Sequence, residues 1–262
     1  MEPMLPLASS EANDAAWRDI LTGTDPGLTQ VRRIFSRIPS NPRCKMCASP
    51  FGGVGGGLMR LFWHAPLARN PLLCRACSSV IKKHPGGAEI QISVLFADVR
   101  GSTGLAEEIS PGEFRNRLQA FYRVAWDAVT KEDGIIDKYM GDGVMALFIP
   151  GIAGERHAAR SIAAGRDLID GMARLPEPRL PVGAGIHSGS AYVGIIGNTA
   201  EHDFSALGDV VNVAARLGSV ARAGELLVSA ESAAAADLAV EAAPQDRLEL
   251  KGRHEPLEVV RL

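Results

Sequence analysis

An α+β fold, with a βαββαβ core behind a small helical segment and a four-cysteine module, is what this 262-residue sequence predicts. Three observations carry the prediction. From residue 90 onward, β-rich runs alternate with helix-patterned stretches, and two of the runs meet at an Asp-Gly pair, a strong hairpin signal. The only four cysteines, Cys44, Cys47, Cys74 and Cys77, fall into two Cys-x2-Cys pairs. Between Asn41 and Ala88 there is no acidic residue, whereas Arg43, Lys45, Arg60, Arg69, Arg75, Lys82 and Lys83 are basic, so the cysteines lie in a compositional island.

The elements follow in chain order. Residues 11 to 38 predict two short helices separated by "TGTDPG"; the second puts Val31, Ile34, Phe35 and Ile38 at i, i+3, i+4, i+7, a packing face. "GGVGGG" lacks the Gly-Lys-Ser/Thr ending of a P-loop and is expected to be a flexible loop. "HPGGAE" (84–89) is a turn-rich joint. A strand over 90–97 precedes a helix from about Pro111 to Lys131, with Phe114, Leu118, Phe121, Tyr122 and Ala125 on one face. "GIIDKYMGDGVMALFI" gives two β-runs around Gly141-Asp142-Gly143. A second helix is expected over about 154–174, and "LPVGAGIHSGSAYVGIIG" is expected to be another strand pair. This order is that of a ferredoxin-like split βαβ core. The expected domains are 1–40 (helical segment), 41–87 (four-cysteine module) and 88–262 (core).

With 46% hydrophobic and 22% charged residues and a formal charge of -2, the chain is globular in composition and has no overall pull toward nucleic acid or anionic membrane, so any electrostatic argument must be local. "MEPMLPLASSEAND" has neither a basic nor an apolar leader region, and no apolar run approaches the roughly 18 residues of a membrane span. A cytoplasmic protein without a membrane partner is expected. In a reducing compartment the paired cysteines favour a metal over disulfides. Four thiolates around Zn²⁺ carry a net charge of -2 that the basic island offsets; iron or an iron-sulfur cluster uses the same ligands. Four thiolates complete the shell, which leaves His64 and His84 as ordinary polar residues.

In a βαββαβ unit the first strand lies beside a hairpin strand, which lets Asp98, at the end of "EIQISVLFADVRGST", approach Asp142 at the hairpin tip. Two carboxylates that close raise each other's pKa unless a cation lies between them, and hard oxygen ligands suit Mg²⁺ or Mn²⁺. After Asp98, Gly101 frees the backbone, and Ser102, Thr103 and the following amides can face an anion near a helix start. "SALGDVVNVAARLGSV" (205–220) is expected to be a helix with Asn212 and Arg216 at i, i+4 on one face. Lys138, by strand alternation, shares the face of Asp142.

Together, "FADVRGST", "DKYMGDGVMALF", "VGAGIHSG", "SALGDVVNVAARL" and "LELKGRHEPLEV" resemble the catalytic domain of class III adenylyl and guanylyl cyclases over residues 88–262. The resemblance implies that Asp98 and Asp142, with the Val99 carbonyl, hold two Mg²⁺ or Mn²⁺ ions. It implies that Lys138 and Ser205 recognise the nucleobase, that Asn212 orients the ribose, that Arg216 stabilises charge on the α-phosphate and that Lys251 holds terminal phosphates. A Lys at position 138, where guanylyl cyclases carry Glu, implies ATP, and Ser205 matches the bacterial members. Ser102 departs from the Phe found in many members. The implied activity is an adenylate cyclase, converting ATP to 3',5'-cyclic AMP and pyrophosphate in a homodimer. Two alternatives stand beside it: a guanylyl cyclase, or an inactive cyclase-fold protein whose zinc module binds nucleic acid or protein.

Overall fold

The computed structural model describes residues 10–67, 70–83, 86–197, 202–238, 245–249 and 255–262. Two compact units divide the chain, one of residues 1–90 and 192–206, the other of residues 91–191 and 207–262.

In the first unit, α1 (Ser10–Thr22) buries Trp17 and Leu21, and Trp17 stacks on Phe204 at a ring-centroid distance of 6.5 Å. Asp25 caps α2 (Pro26–Phe35) by accepting from the Leu28 N–H at 2.6 Å, and Pro26 occupies the first turn, where its missing N–H leaves no bond unmade. The stripe of Val31, Ile34, Phe35 and Ile38 is not the packing face expected of it: Val31 and Ile34 are exposed and α2 buries no residue. This short helix touches its surroundings along one edge, where Phe35 meets the His64 ring edge-on at 5.2 Å.

"GGVGGG" is a second correction. It opens α3 (Gly53–Leu61) instead of forming a loop. Glycine disfavours helix, yet Gly56 has no room for a side chain, since a Cβ there would lie 2.4 Å from the Phe51 carbonyl carbon. Close packing explains the glycine at position 56, and a φ of +66° the one at position 53. A small hairpin of β1 (Pro66–Leu67) and β2 (Asn70–Cys74) then leads into α4 (Arg75–Lys83).

The main sheet is built from β3 (Gly87–Val99), β4 (Ile135–Met140), β5 (Gly143–Phe148), β6 (Val182–Gly197), β7 (His202–Leu207), β8 (Leu226–Ser229), β9 (Gln245–Leu248) and β10 (Leu257–Arg261). Its order is β4-β5-β3-β6-β8-β10-β9, with β7 paired to β6. The first four positions are the ferredoxin-like arrangement, in which the first strand lies between the hairpin and the last strand. The helices between them are α5 (Ser102–Glu108), α6 (Pro111–Lys131), α7 (Pro150–Ala153) and α8 (His157–Ala173); α9 (Asp209–Val220) and α10 (Ala230–Ala235) follow. In the second unit Leu95, Ala97, Val144, Ala146 and Phe148 pack with Phe121 and Ala125 of α6 and with Ile162 and Leu168 of α8. A separate apolar group joins Val213 and Leu217 of α9 to Leu227, Leu257 and Val259.

Three boundaries differ from expectation. The strand pair expected over 180–197 is the single strand β6, because its small residues serve packing and not a turn: a Cβ on Gly185 would lie 2.2 Å from the Gly218 N of α9. The helix expected over 154–174 is preceded by a separate turn, α7, which Gly154 ends at φ +80°. Ser205 lies in β7 and not in a helix, since Gly208 takes φ +145°, out of reach of other residues, before α9 starts at Asp209.

Candidate functional site

The hairpin between β4 and β5 turns through Gly141 and Asp142, Met140 pairing with Gly143. Gly141 takes φ +65°, as the first residue of a two-residue II′ loop does, so the turn depends on Gly141-Asp142 and not on the Asp142-Gly143 pair that signalled it. On the neighbouring strand Asp98 pairs with Gly143, and the Val99 N–H donates to the Asp142 carbonyl at 3.1 Å. The two acidic residues therefore meet at one end of the sheet, both half-buried.

Asp98 is held by two donors: the Val99 N–H reaches Oδ1 at 3.0 Å and the Arg100 guanidinium reaches Oδ2 at 2.5 Å. Burial pushes its carboxyl up from the ordinary carboxylate range; Arg100 pulls it back and the charge of Asp142 pushes it up again. The Ser102 hydroxyl donates to the Asp142 carboxylate, so in this structure it is turned toward the acid and not toward an anion. Gly101 caps α5 in the left-handed conformation (φ +65°), which places Ser102 and Thr103 in the first helical turn.

Two residues that sequence reasoning missed support the pair. Tyr122 of α6 donates its hydroxyl to the Gly141 carbonyl and packs its ring 4.6 Å from that of Tyr139, bracing the hairpin tip. Its only sequence signal was a polar tip on an otherwise apolar helix face. Arg100 also donates to the Ser219 carbonyl at the end of α9, and its buried Nε has no hydrogen-bond partner among the described residues. The signal for Arg100 was its place two residues after Asp98.

On α9, Asn212 is exposed and Arg216 half-buried, one helical turn apart on one face. Neither is joined to Asp98 or Asp142 by a hydrogen bond or ion pair among the described residues. Lys138 pairs with Met145, which in turn faces Phe96, so it shares a sheet face with Phe96 and Asp98. A bulge between Ile136 and Lys138 interrupts the alternation, and the ammonium rests 3.3 Å from Asp137. Ser205, in the first unit, is buried. Lys251 and His84 lie outside the described residues.

A family model described as "Adenylate and Guanylate cyclase catalytic domain" matches residues 87–260. The chain belongs to this cyclase family. An adenylate cyclase of Anabaena cylindrica is 35% identical over 133 residues, 48% of this chain and 26% of that protein. The chain spans about a quarter of the length of the curated relatives it matches. Among solved cyclase structures, the guanylyl cyclase Cya2 aligns at TM-score 0.63 and 27% identity, over 67% of this chain and 93% of that one. The adenylyl cyclase CyaB from P. aeruginosa aligns at 0.59 and 26%, over 67% and 94%. Cyclase relatives of both substrate names thus share the fold, and no helix among the described residues is long and apolar enough to cross a membrane.

The first unit holds a second constellation. Cys44, Cys47, Cys74 and Cys77 are buried and free, with all four sulfurs within 4.8 Å of one another. The Cys44–Cys77 and Cys47–Cys74 separations are 3.9 and 3.7 Å. A single tetrahedral ion with metal–sulfur bonds of about 2.3 Å sets thiolates about 3.8 Å apart, so the cluster has the dimensions of a one-metal shell and could bind a metal. Crowding divides the thiols, Cys74 being held low, foremost by a hydrogen bond from Cys44, and Cys77 being pushed up by the same neighbour. His64 was expected to be an ordinary polar residue. Its Nδ1 stands 3.4 Å from Cys74 Sγ and 3.9 Å from Cys47 Sγ, close enough to touch two of the four sulfurs.

Proposed function

We propose that the chain is an adenylyl cyclase that converts ATP to 3',5'-cyclic AMP and pyrophosphate at sites shared by two copies. One observation carries the proposal: the β3–β5 register brings Asp98 and Asp142 together at the end of one sheet, on a mount braced by Arg100, Ser102 and Tyr122. Two half-buried carboxylates are a hard-oxygen donor set that fits Mg²⁺ or Mn²⁺, with the Val99 carbonyl beside them. Divalent cations held there would acidify the ribose 3'-hydroxyl and neutralise the triphosphate.

The chain's own groups do the rest. Asp98 and Asp142 would hold the cations, which is their part in bringing the 3'-oxygen to the α-phosphorus. Arg216 meets the charge that grows on the α-phosphoryl oxygens, and Asn212 holds the ribose. Gly101, Ser102 and Thr103 lead the chain past the phosphates, and Lys251 is assigned to their terminal end. Lys138 donates to the ring nitrogen of adenine that guanine lacks as an acceptor, and the Ser205 hydroxyl accepts from its amino group; a mismatched base leaves such groups unpaired. The four cysteines hold Zn²⁺, in a module over 41–87 between the helical segment 1–40 and the catalytic domain 88–262. The likeness to Cya2 favours a second reading, a guanylyl cyclase.

The experiment is product analysis with Mn²⁺ and either ATP or GTP. Cyclic AMP as the main product supports the proposal. Cyclic GTP-derived product in excess selects the second reading, and no product from either nucleotide rejects both.

A further inference from the structure

We propose that the exposed apolar end of the cysteine module is a docking surface for the face of an anionic phospholipid membrane. On α3, Val54, Leu58 and Leu61 recur at i, i+4, i+7 on one face, and are 94%, 56% and 78% exposed. Phe62 and Trp63 continue the surface beyond the helix end at 64% and 69% exposure. Scattered apolar residues on a surface are ordinary, whereas five large ones within ten positions make a patch.

The backbone holds that patch outward. Trp63 takes φ +64°, a conformation bulky residues rarely adopt; its N–H donates to Arg60 O at 3.3 Å and its carbonyl accepts from the Ala76 N–H at 3.1 Å. An indole kept in water by a strained, hydrogen-bonded turn calls for a partner that rewards it. The turn is tied to the cysteines, since Ala76 lies between Cys74 and Cys77 and the His64 N–H donates to Met59 O at 3.0 Å.

Charge selects the occupant. Arg60 on the same helix and Arg75, whose N–H is bonded to Ala65 O at 2.9 Å, are exposed cations of the same module, while no acidic residue occurs from Asn41 to Ala88. A second copy of the chain would press like charges together with no local acid to pair them. Nucleic acid would supply phosphates but no apolar layer for Val54, Leu58 and Leu61. A bilayer with acidic headgroups answers both needs: apolar side chains enter the boundary below the headgroups, where Trp is favoured, and the arginines snorkel to the phosphates. The net charge of -2 concealed this because the acids lie elsewhere in the chain.

The test is co-sedimentation of the full chain with vesicles of phosphatidylcholine alone or of phosphatidylcholine and phosphatidylglycerol in equal parts. The chain should pellet with the mixed vesicles, less so as salt rises, and not with the neutral ones. Arg60→Glu with Arg75→Glu should lower partitioning at least about tenfold, given the worth of each cation at an acidic surface. Leu61→Ser with Trp63→Ser should abolish it, and Arg115→Glu on α6 should not change it; circular dichroism and metal content confirm folding of each variant. Four results would overturn the proposal: no pelleting with either vesicle, equal pelleting with both, patch variants that bind as the wild type does, or patch variants that lose only DNA binding or self-association.

Discussion

Arg100 sets one guanidinium nitrogen 2.5 Å from the Asp98 carboxylate and gives the other to the Ser219 carbonyl in the last turn of α9. One side chain thus joins the acidic end of β3 to the helix that carries Asn212 and Arg216. Its own backbone N–H is fixed on Pro181 O at 2.7 Å, so the fork is anchored at its root. Arg100→Ala should destabilise the chain by about 1–2 kcal/mol in urea unfolding, solvent screening of the partly exposed pair having been allowed for. Turnover should fall more than KM for the nucleotide rises, and Arg100→Lys, a point charge that cannot bridge both acceptors, should restore it only in part. Wild-type stability and turnover in Arg100→Ala would remove the bridge from the account.

Lys138→Glu tests base selection. The change replaces a donor by an acceptor on an exposed strand position and places it beside Asp137, so the ratio of ATP to GTP turnover should drop at least about tenfold. An unmoved ratio would show that Lys138 does not meet the base.

For the cysteine cluster, metal analysis should find one ion per chain, and Cys→Ser at all four positions should remove it and lower the thermal midpoint. His64→Ala should keep the ion but weaken its retention against a chelator about tenfold or more, as loss of an outer hydrogen-bond partner does. Identical chelator titrations for His64→Ala and wild type would make the histidine a bystander.

Half-buried His157 offers a pH signature. Its Nδ1 lies 2.9 Å from Ser93 Oγ, which in turn is 2.6 Å from Ser188 Oγ, and burial lowers its pKa from the ordinary 6.5. Below that value the unfolded chain binds the proton more readily than the folded one, so this stabilising contribution is complete above it and is lost as pH falls through the folded value. Unfolding free energy should therefore drop as pH falls below about 6.5, and His157→Gln should flatten that slope. An unchanged slope would locate the acid sensitivity elsewhere.

Much of this architecture was legible because its local and long-range signals agree. The apolar run ending at Asp98 has one placement in a βαββαβ core, and the hairpin that brings Asp142 to it follows from a glycine turn. The errors came where packing overrode local preference. Gly56 lies in a helix because Phe51 leaves no space for a side chain, and Gly185 lies in a continuous strand because α9 presses on it. Arg100 and Tyr122 were illegible as supports, since a cation after a strand and a tyrosine on a helix acquire those roles only once the hairpin tip and α9 have been brought beside them. His64 was set aside on ligand count, which says nothing about a group that touches the sulfurs from outside the shell.

The central claim, that two copies complete one another's sites around Asp98 and Arg216, is tested most directly by mixing two inactive variants. Asp98→Ala lacks the cation-holding half and Arg216→Ala lacks the phosphate-stabilising half, so each alone should form no cyclic AMP. A mixed dimer owns one intact site, and co-refolded protein should recover about a quarter of wild-type turnover, half of the dimers being mixed and each having one site of two. No recovery in a preparation with proven mixed dimers would contradict the shared site.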